Sequence, residues 1–351
     1  MKLKKYEGNP VMSPEKGNDW ESLVCCNPGV IYDEGKFYML YRAAGNDKEH
    51  VIRFGLAESE DGFHFKRVSS EPVFGPSIDG FDSGCVEDPR IVKFGESFYV
   101  TYAYRPMSPG QYWTFPHDVV LKPECDSFAP KAWADNLGNS ALAVTRDFKS
   151  FRRLGRLTSP VLDDRDVILF PEKIGGKYAM IHRPKEFIGK EYGVDYPSIW
   201  IKFSDDLLEW ENKPSHLLMT GRAGSWEEKI GGGAPPILTD RGWLMIYHGV
   251  SAGGVGEYSA GAVLLDKDNP LKIIARTPEP ILAPEFDFET QGYYSGIVFP
   301  TGNVVVNGKL YVYYGAADKY VGVATCPLEA LLNFLTEECR VSNENSNASS
   351  I

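Results

Sequence analysis

The sequence predicts an all-β fold, a five-bladed β-propeller with a short C-terminal helix, because one strand pattern occurs five times along its 351 residues. Each copy has an apolar strand that contains proline, a turn, an aromatic strand and a third strand. Repeats of roughly 60–80 residues with three or four short strands are typical of radial β repetition. The copies begin at Asn27, Glu87, Asp166, Gly233 and Gly296. Because the first strands of such a fold surround its axis, polar residues near these starts are candidates for a functional site.

Turn residues separate the first two strands of every copy. Glycine-containing turns between apolar or aromatic runs predict hairpins. These turns are Asp33–Gly35, Gly95–Ser97, Gly175–Gly176, Asp240–Gly242 and Asn307–Gly308. The segment from Leu328 to Leu335 (LEALLNFL) predicts the helix. We therefore expect a single propeller domain over residues 1–340 and a polar, disordered tail over residues 341–351.

One interval, residues 105–139, is much longer than the other connections and interrupts the second repeat. Loops longer than about 15 residues inside compact domains are usually functional or disordered. The aromatic residues Trp113, Phe115 and Trp133 argue against disorder. We therefore interpret this insertion as a lid or as a contact between subunits.

Composition excludes several classes of function. The formal net charge of −11 argues against nucleic acid or an anionic membrane as a partner. No run of about 18 apolar residues occurs, and the N-terminal MKLKKYEGNPVMSP lacks the apolar region of a signal peptide. We expect a cytoplasmic protein with reduced thiols and no metal site, because the cysteines lack CxxC spacing and no histidine has metal-ligand spacing. The cysteines are Cys25, Cys26, Cys85, Cys125, Cys326 and Cys339.

The second repeat opens with Glu87, Asp88, Pro89 and Arg90, which place two carboxylates and a guanidinium where an inner strand meets the axis. Neighbouring residues of a strand point to opposite faces, so we expect only one of the two carboxylates to face a substrate. The other would anchor the backbone or pair with Arg90. The alternative is a structural ion pair between blades.

Basic residues stand at corresponding edges of the third and fourth repeats. Arg165 and Arg183 flank the first two strands of the third repeat, while Lys229 and His248 hold similar places in the fourth. If they converge, they form a cationic pocket suited to phosphate inside an acidic protein. Taken singly, each of these residues is more readily explained as a solvated surface charge, whereas their shared position beside the repeat starts favours a common pocket.

The chain resembles glycoside hydrolase family 130, the β-mannoside phosphorylases, from roughly Asn9 to Leu335. The motifs that carry this resemblance are EDPRI, LFPEKIGGKYAMIHRP, KIGGGAPPI, GWLMIYHGV and YYGAAD. The resemblance implies a five-bladed propeller that catalyses inverting phosphorolysis of β-mannosides and releases α-mannose 1-phosphate. Its partners would be a β-mannoside oligosaccharide, with a β-1,2 linkage as the plausible case, and inorganic phosphate as co-substrate. No cofactor is implied, and a homo-oligomer is compatible with the sequence.

The resemblance also implies roles for residues. Asp88 would be the catalytic acid, acting through the 3-hydroxyl of the mannosyl unit. The implied phosphate-binding residues are Arg165, Arg183, Lys229, His248 and Tyr258, and the implied sugar-binding residues are Asn27, Arg42, Arg53 and Asp318. Where some family members have Asn-Arg-Asn, this chain has Asp164-Arg165-Asp166. Carboxylates beside a phosphate are unfavourable unless they point away or pair with the arginine.

Two other functions remain open at this stage. The first is an inverting β-mannosidase, with Glu227 or Glu228 as the base that activates water. Such an enzyme needs its acid and base about 6.5–9.5 Å apart. The second is a non-catalytic carbohydrate-binding propeller, which would not need a pocket for an anion.

Overall fold

A computed structural model describes residues 1–110, 125–253 and 256–341 of the chain. The strands are β1 (Lys4–Lys5), β2 (Val24–Asp33), β3 (Lys36–Ala44), β4 (Arg53–Ser59), β5 (Lys66–Arg67), β6 (Cys85–Phe94), β7 (Ser97–Arg105), β8 (Asn139–Thr145), β9 (Phe151–Arg156), β10 (Asp164–Leu169), β11 (Tyr178–Pro184), β12 (Ile199–Ser204), β13 (His216–Met219), β14 (Lys229–Gly232), β15 (Ile237–Thr239), β16 (Gly242–Val250), β17 (Tyr258–Leu265), β18 (Ile273–Arg276), β19 (Val298–Val306), β20 (Lys309–Ala316) and β21 (Tyr320–Pro327). The helices are α1 (Lys131–Ala134), α2 (Asp287–Thr290) and α3 (Leu328–Glu338), and Asp19–Glu21 forms a single 3₁₀ turn.

The strands form five antiparallel sheets, which confirms the predicted five-bladed propeller. Blade 1 is β2-β3-β4-β5, blade 2 is β6-β7-β8-β9 and blade 3 is β10-β11-β12-β13. In blade 4, β14 and β15 both pair with β16, which is followed by β17 and β18. Blade 5 is β19-β20-β21-β1, so its outer strand comes from the N-terminal end of the chain. Pairing of Lys4 with Thr325 and of Lys5 with Ala324 closes the ring.

The predicted turns and helix lie close to their expected places. Turns join the first and second strands of the blades, and Gly35, Gly176 and Gly308 adopt the positive φ that such turns require. Helix α3 begins at Leu328 as predicted and continues past Leu335 to Glu338. It buries Leu331 and Leu332 against the apolar core between blades 4 and 5.

Two segments singled out in the sequence fall partly outside the described residues. Within the 105–139 insertion, residues 111–124, which include Trp113 and Phe115, are not described. The described part contains α1. The predicted tail over 341–351 lies outside the described residues from 342 onward.

A buried acid, a tyrosine and a cation join the segment before an inner strand to the outer part of the same blade. In blade 4, Glu227 Oε2 accepts a 2.5 Å hydrogen bond from the Tyr247 hydroxyl and a 2.7 Å hydrogen bond from Arg276 Nη2. We call this arrangement a blade triplet. The corresponding groups are Glu21, Tyr41 and Arg67 in blade 1, Asp82, Tyr102 and Arg153 in blade 2, and Glu289, Tyr314 and Lys5 in blade 5.

Blade 3 replaces the triplet with a different chain of hydrogen bonds. His182 takes the tyrosine position, with Nδ1 2.8 Å from Asp164 Oδ2 and Nε2 3.1 Å from the Ser215 hydroxyl. These are the residue types of a hydrolytic triad, but all three are buried. These hydrogen bonds therefore stabilise blade 3, as the triplets stabilise the other four blades.

The second strand presents the next residue to the axis. Arg42 follows Tyr41, Arg183 follows His182 and His248 follows Tyr247. In blades 2 and 5 the same position holds Ala103 and Gly315, and a Cβ at Gly315 would overlap the side chain of Asn27. The triplets of blades 1 and 4 and the hydrogen bonds of His182 in blade 3 thus hold the strand positions that present these three basic side chains to the axis.

Candidate active site

Three inner strands have a left-handed residue at a bulge where they reach the axis, and the inner strand β19 also shifts register, between Pro300 and Gly302. The pairing register of β2, β6 and β10 shifts at a bulge that includes Asn27, Asp88 and Asp166 respectively. These residues adopt φ values of +44°, +52° and +58°. Asn and Asp tolerate this left-handed region better than most residues. Bulges redirect side chains and are frequent beside active sites, so the three copies of this feature mark the site from the backbone alone.

The bulge in β6 overturns one expectation from the sequence. Both Glu87 and Asp88 line the central cavity, whereas strict strand alternation predicted that only one of them would. The prediction was wrong because Asp88 is left-handed and the β6 ladder slips between Glu87 and Arg90. An extra residue at a bulge breaks the two-residue period of side-chain direction.

A cavity of about 420 Å³ lies on the propeller axis, and we call it the axial cavity. All five blades contribute to it. The predicted residues that line it are Asn27, Arg42, Asp88, Arg165, Arg183, Lys229, His248, Tyr258 and Asp318. Other lining residues are Glu87, Asp166, Lys185, Pro197, Ile230, Val250, Tyr294, Ile297 and Phe299. The fold therefore brings the implied catalytic acid and the implied phosphate-binding residues into one cavity.

Asp88 is held by two donors on one side of the cavity. Its Oδ1 accepts hydrogen bonds from Asn27 Nδ2 at 2.8 Å and from Arg42 Nη1 at 3.0 Å. Glu87 lies behind this pair, with Oε2 3.4 Å from Arg42 Nη1 and Oε1 3.2 Å from Arg105 Nε. Burial acts to raise the pKa of Glu87, but the charges of Arg42 and Arg105 hold that pKa at about 2. Glu87 is therefore an ionised partner for the arginine that orients Asp88.

Asp318 faces the same group from the turn after β20. Burial, together with the negative charges of Asp88 and Glu87, raises the pKa of Asp318 to about 6, and Arg42 opposes this rise. A carboxyl group with this pKa is partly protonated near neutral pH and can then donate a hydrogen bond to a sugar hydroxyl.

The opposite side of the cavity carries cations that are paired with carboxylates. Asp163 accepts hydrogen bonds from Arg165 Nε at 2.9 Å and Nη2 at 3.3 Å, and from Lys185 Nζ at 2.8 Å. Asp166 Oδ2 accepts a 2.6 Å hydrogen bond from Arg183 Nε. The carboxylates next to Arg165 in the sequence thus pair with basic groups or point away into the blade. The electrostatic conflict expected from Asp164 and Asp166 does not arise.

His248 has a defined tautomer. Its Nδ1 lies 3.2 Å from the carbonyl oxygen of Gly232, which can only accept, so Nδ1 carries the proton. Burial, with the positive charges of Arg183 and Arg90, lowers the pKa of His248 to about 4 against the opposing effect of Asp166. The imidazole is therefore neutral near pH 7, and Nε2 is a hydrogen-bond acceptor. A phosphate oxygen that bears a proton is a suitable donor to it.

The structure does not bring every predicted residue to the cavity. Arg53 is not among the described residues that line it, and its Nη1 donates to the carbonyl oxygen of Val51 at 3.1 Å. Glu227 and Glu228 are also not among them. Glu227 belongs to the triplet of blade 4, and Glu228 Oε2 accepts a 3.0 Å hydrogen bond from the amide of Gly224.

Sequence reasoning missed Lys185 and Tyr294, which line the cavity from loops rather than from strands. The charge of Arg165 and burial lower the pKa of Lys185 to about 8, against the effect of Asp163. Lys185 directly follows the HRP motif of β11, and this position in the sequence could have identified it as a site residue. Tyr294 lies in the long connection between blades 4 and 5, where no periodic pattern marks it. Among the described residues, no group of three or more His, Cys, Asp or Glu side chains is placed to hold a metal ion.

A propeller whose axial cavity has one carboxylate side and one cationic side has groups suited to a carbohydrate-active enzyme, and comparison with known proteins shows the family. The sequence profile of glycoside hydrolase family 130, described as beta-1,4-mannooligosaccharide phosphorylase, matches residues 2–115 and 132–337. The chain belongs to this family. The unmatched interval between the two ranges falls inside the 105–139 insertion.

Individual relatives have related activities. A 1,2-beta-oligomannan phosphorylase from Thermoanaerobacter sp. (strain X514) is 37% identical over 333 residues, which is 92% of this chain and 97% of that protein. The solved beta-1,2-mannobiose phosphorylase of Listeria innocua superposes with a TM-score of 0.76 at 25% identity, covering 96% of this chain and 100% of the other. A second solved structure superposes with a TM-score of 0.73 at 26% identity and covers 93% of this chain and 94% of the other. Its description states that the GH130 family of mannoside phosphorylases contains glycoside hydrolases that target β-1,2-mannosidic linkages in Candida mannan.

Proposed function

We propose that this protein is an inverting β-mannoside phosphorylase that cleaves β-1,2-linked manno-oligosaccharides with inorganic phosphate and releases α-mannose 1-phosphate. The observation that carries the proposal is the shared cavity. A held carboxyl group, Asp88, and the cations Arg183 and Lys229 open onto the same space. Arg183 is partly buried and Lys229 is exposed, and guanidinium and ammonium groups that converge on one cavity are suited to a phosphate dianion. The names of the relatives support the β-1,2 linkage.

In the proposed reaction, the two sides of the cavity have different roles. Phosphate, held by Arg165, Arg183 and Lys229, attacks the anomeric carbon from the face opposite the leaving sugar. The carbon–oxygen bond to the leaving sugar breaks as the bond to phosphate forms, which converts a β-mannoside into an α-phosphate. The leaving oxygen takes the proton of the 3-hydroxyl of the mannosyl unit, and Asp88 replaces that proton. Both hydrogen bonds to Asp88 from Asn27 and Arg42 go to Oδ1, so Oδ2 is the oxygen for this transfer.

Hydrolysis is the second candidate, because the family contains hydrolases. An inverting hydrolase needs a carboxylate base beside the water that replaces phosphate. The candidates from the sequence do not suit this role, since Glu227 is fully buried between Tyr247 and Arg276. Asp166 lines the cavity but is bonded to Arg183, as a counterion would be. This arrangement favours phosphate over water as the nucleophile.

The remaining expectations complete the proposal. The reaction needs phosphate as co-substrate and no further cofactor. We propose a cytoplasmic location, where a chain with six unpaired cysteines stays reduced. Over the part of the chain that the structure describes, no helix has the length and apolar character to cross a membrane. A homo-oligomer in which the 105–139 insertion contacts a second copy or closes over the cavity remains a proposal.

One assay tests the function. The purified protein is incubated with β-1,2-mannobiose, β-1,4-mannobiose or 4-O-β-mannosyl-glucose, each with and without phosphate, and the products are followed by ³¹P NMR and sugar chromatography. The expected result is α-mannose 1-phosphate from β-1,2-mannobiose only when phosphate is present. Release of free mannose at an equal rate without phosphate would establish hydrolysis instead. Absence of cleavage of every β-mannoside would favour a binding protein.

A further inference from the structure

Arg90, the last residue of the Asp-Pro-Arg motif, lies at the meeting point of four blades, and none of the functions above uses it. Its side chain is 2% exposed. From β6 in blade 2, Nη1 donates to the carbonyl oxygen of Asp88 at 2.6 Å and Nε donates to the carbonyl oxygen of Gly233 in blade 4 at 3.1 Å. Nη2 lies 3.7 Å from Asp166 Oδ1 in blade 3, and the guanidinium lies 5.5 Å from the ring of Phe299 in blade 5.

The first contact bears on the conformation of Asp88. Its φ of +52° is uncommon for a residue with a side chain, and such conformations persist where the surroundings over-determine them. Asn27 and Arg42 hold the carboxyl group, and Arg90 holds the carbonyl group of the same residue. Both ends of Asp88 are therefore fixed, which sets the direction in which its carboxyl group meets a substrate.

The second contact bears on the phosphate side. Asp166 is the partner of Arg183, and its Oδ2 lies 3.8 Å from His248 Nε2. Arg90 approaches the other oxygen of the same carboxylate. Arg90 itself is not among the described residues that line the cavity. A displacement of Arg90 would nevertheless shift Asp166, and through it the side chains on the cationic side of the cavity.

We infer that Arg90 is a positioning residue. It fixes the peptide of Asp88 by a hydrogen bond and places a positive charge 3.7 Å from the Asp166 carboxylate, so that the proton-handling carboxyl group and the phosphate-binding residues keep their relative places around one sugar. The inference rests on the proposed phosphorolysis. Arginine is required because its planar fork presents several donors in fixed directions, whereas lysine offers the same charge at a single point. Misplacement of reacting groups by about 1 Å can cost on the order of 10²-fold in rate.

The test uses Arg90→Lys, which keeps the charge and loses the fork, and Arg90→Ala, which removes both. Arg153→Lys is the matched control, because Arg153 is an ion-paired arginine of the same blade that belongs to its triplet. With β-1,2-mannobiose and phosphate, we expect kcat of Arg90→Lys to fall by about 10²-fold, while Arg153→Lys loses thermal stability and keeps its kcat. Guanidinium ions at millimolar concentration should restore part of the activity of Arg90→Ala, and ammonium ions should not.

The outcomes separate this inference from the function on which it rests. If the wild-type protein cleaves no β-mannoside with phosphate, the proposed function fails. If the wild type is active and folded Arg90→Lys matches its kcat, the positioning role is wrong. Loss of rate without rescue by guanidinium, or failure of both variants to fold, would reduce Arg90 to a structural residue and also overturn the inference.

Discussion

Glu227 and Tyr247 are joined by a buried hydrogen bond of 2.5 Å, and the same acid–tyrosine bond occurs in blades 1, 2 and 5. This repetition changes the meaning of Glu227. Glu227 has a counterpart in three other blades, and these counterparts lie far apart in the sequence. A carboxylate that recurs in this way stabilises the blade and does not take part in catalysis. The hydrolytic base suggested by the sequence is thereby better explained as part of the scaffold.

Replacing Glu227 by Gln should destabilise the protein without abolishing turnover. Removing one partner of a buried ion pair typically costs about 3–5 kcal/mol, because the charge of Arg276 is left uncompensated. Glu21→Gln in blade 1 is the matched control, since Glu21 pairs with Tyr41 and Arg67 in the same way. Chemical denaturation and steady-state kinetics of both variants give the comparison. A selective loss of kcat in Glu227→Gln alone would return Glu227 to the active site.

Replacing Asp88 by Asn should abolish most turnover in a folded protein. The amide keeps the shape but cannot supply a proton, and general acid catalysis typically contributes about 10²–10⁴-fold. Steady-state kinetics with β-1,2-mannobiose and phosphate measure the loss, and circular dichroism checks the fold. Asp61→Asn is the control, because Asp61 is exposed and bonds to His64 at the edge of blade 1. A rate near that of the wild type would remove Asp88 from the mechanism.

Replacing Arg183 or Lys229 by Ala should weaken the response to phosphate. Each substitution removes one or two charge-assisted hydrogen bonds to the anion, at roughly 1.5–3 kcal/mol each. The KM for phosphate should therefore rise by at least 10-fold, while any slow hydrolysis without phosphate stays unchanged. Lys177→Ala is the control, because Lys177 lies in the turn between β10 and β11 and is half exposed. An unaltered KM for phosphate in both variants would place the anion elsewhere.

Replacing Asp318 by Asn should change how stability depends on pH. Burial and the nearby charges of Asp88 and Glu87 raise the pKa of Asp318 from its ordinary value of 3.8 to about 6. A raised pKa means that the folded state binds the proton more tightly than the unfolded state, so this stabilising contribution is fully present below pH 3.8 and is lost as pH rises through 6. The variant should melt at a higher temperature than the wild type at pH 8, with the difference shrinking towards pH 4. A difference in melting temperature between the two proteins that stays constant from pH 4 to pH 8 would contradict the raised pKa.

The sequence repeats are sufficient to predict the fold, and they also predict some of the residues in the site. Because the pattern of the second strand recurs, Arg42, Arg183 and His248 occupy one register position, and a periodic pattern can reveal it. Lys185 and Tyr294 come from connections of irregular length, where no period indicates direction. The shared orientation of Glu87 and Asp88 depends on a left-handed residue at a bulge, which strand alternation does not anticipate. From the sequence alone Glu227 is an alternative hydrolytic base, because its bonds to Tyr247 and Arg276 join residues that are far apart along the chain and that a linear motif does not connect.

The pairing of Lys4 with Thr325 has a consequence for the order of folding. During synthesis, β1 leaves the ribosome before β21 and cannot pair with it until β21 has been made. Blades 1 to 4 consist of strands that are neighbours along the chain, so they can assemble as they emerge, whereas blade 5 requires a contact between opposite ends of the sequence. Contacts of such long range are slow to form. A circular permutant that joins β21 to β1 through a linker and opens the chain between two other blades would turn this late contact into an early one, and should speed refolding while leaving the axial cavity intact.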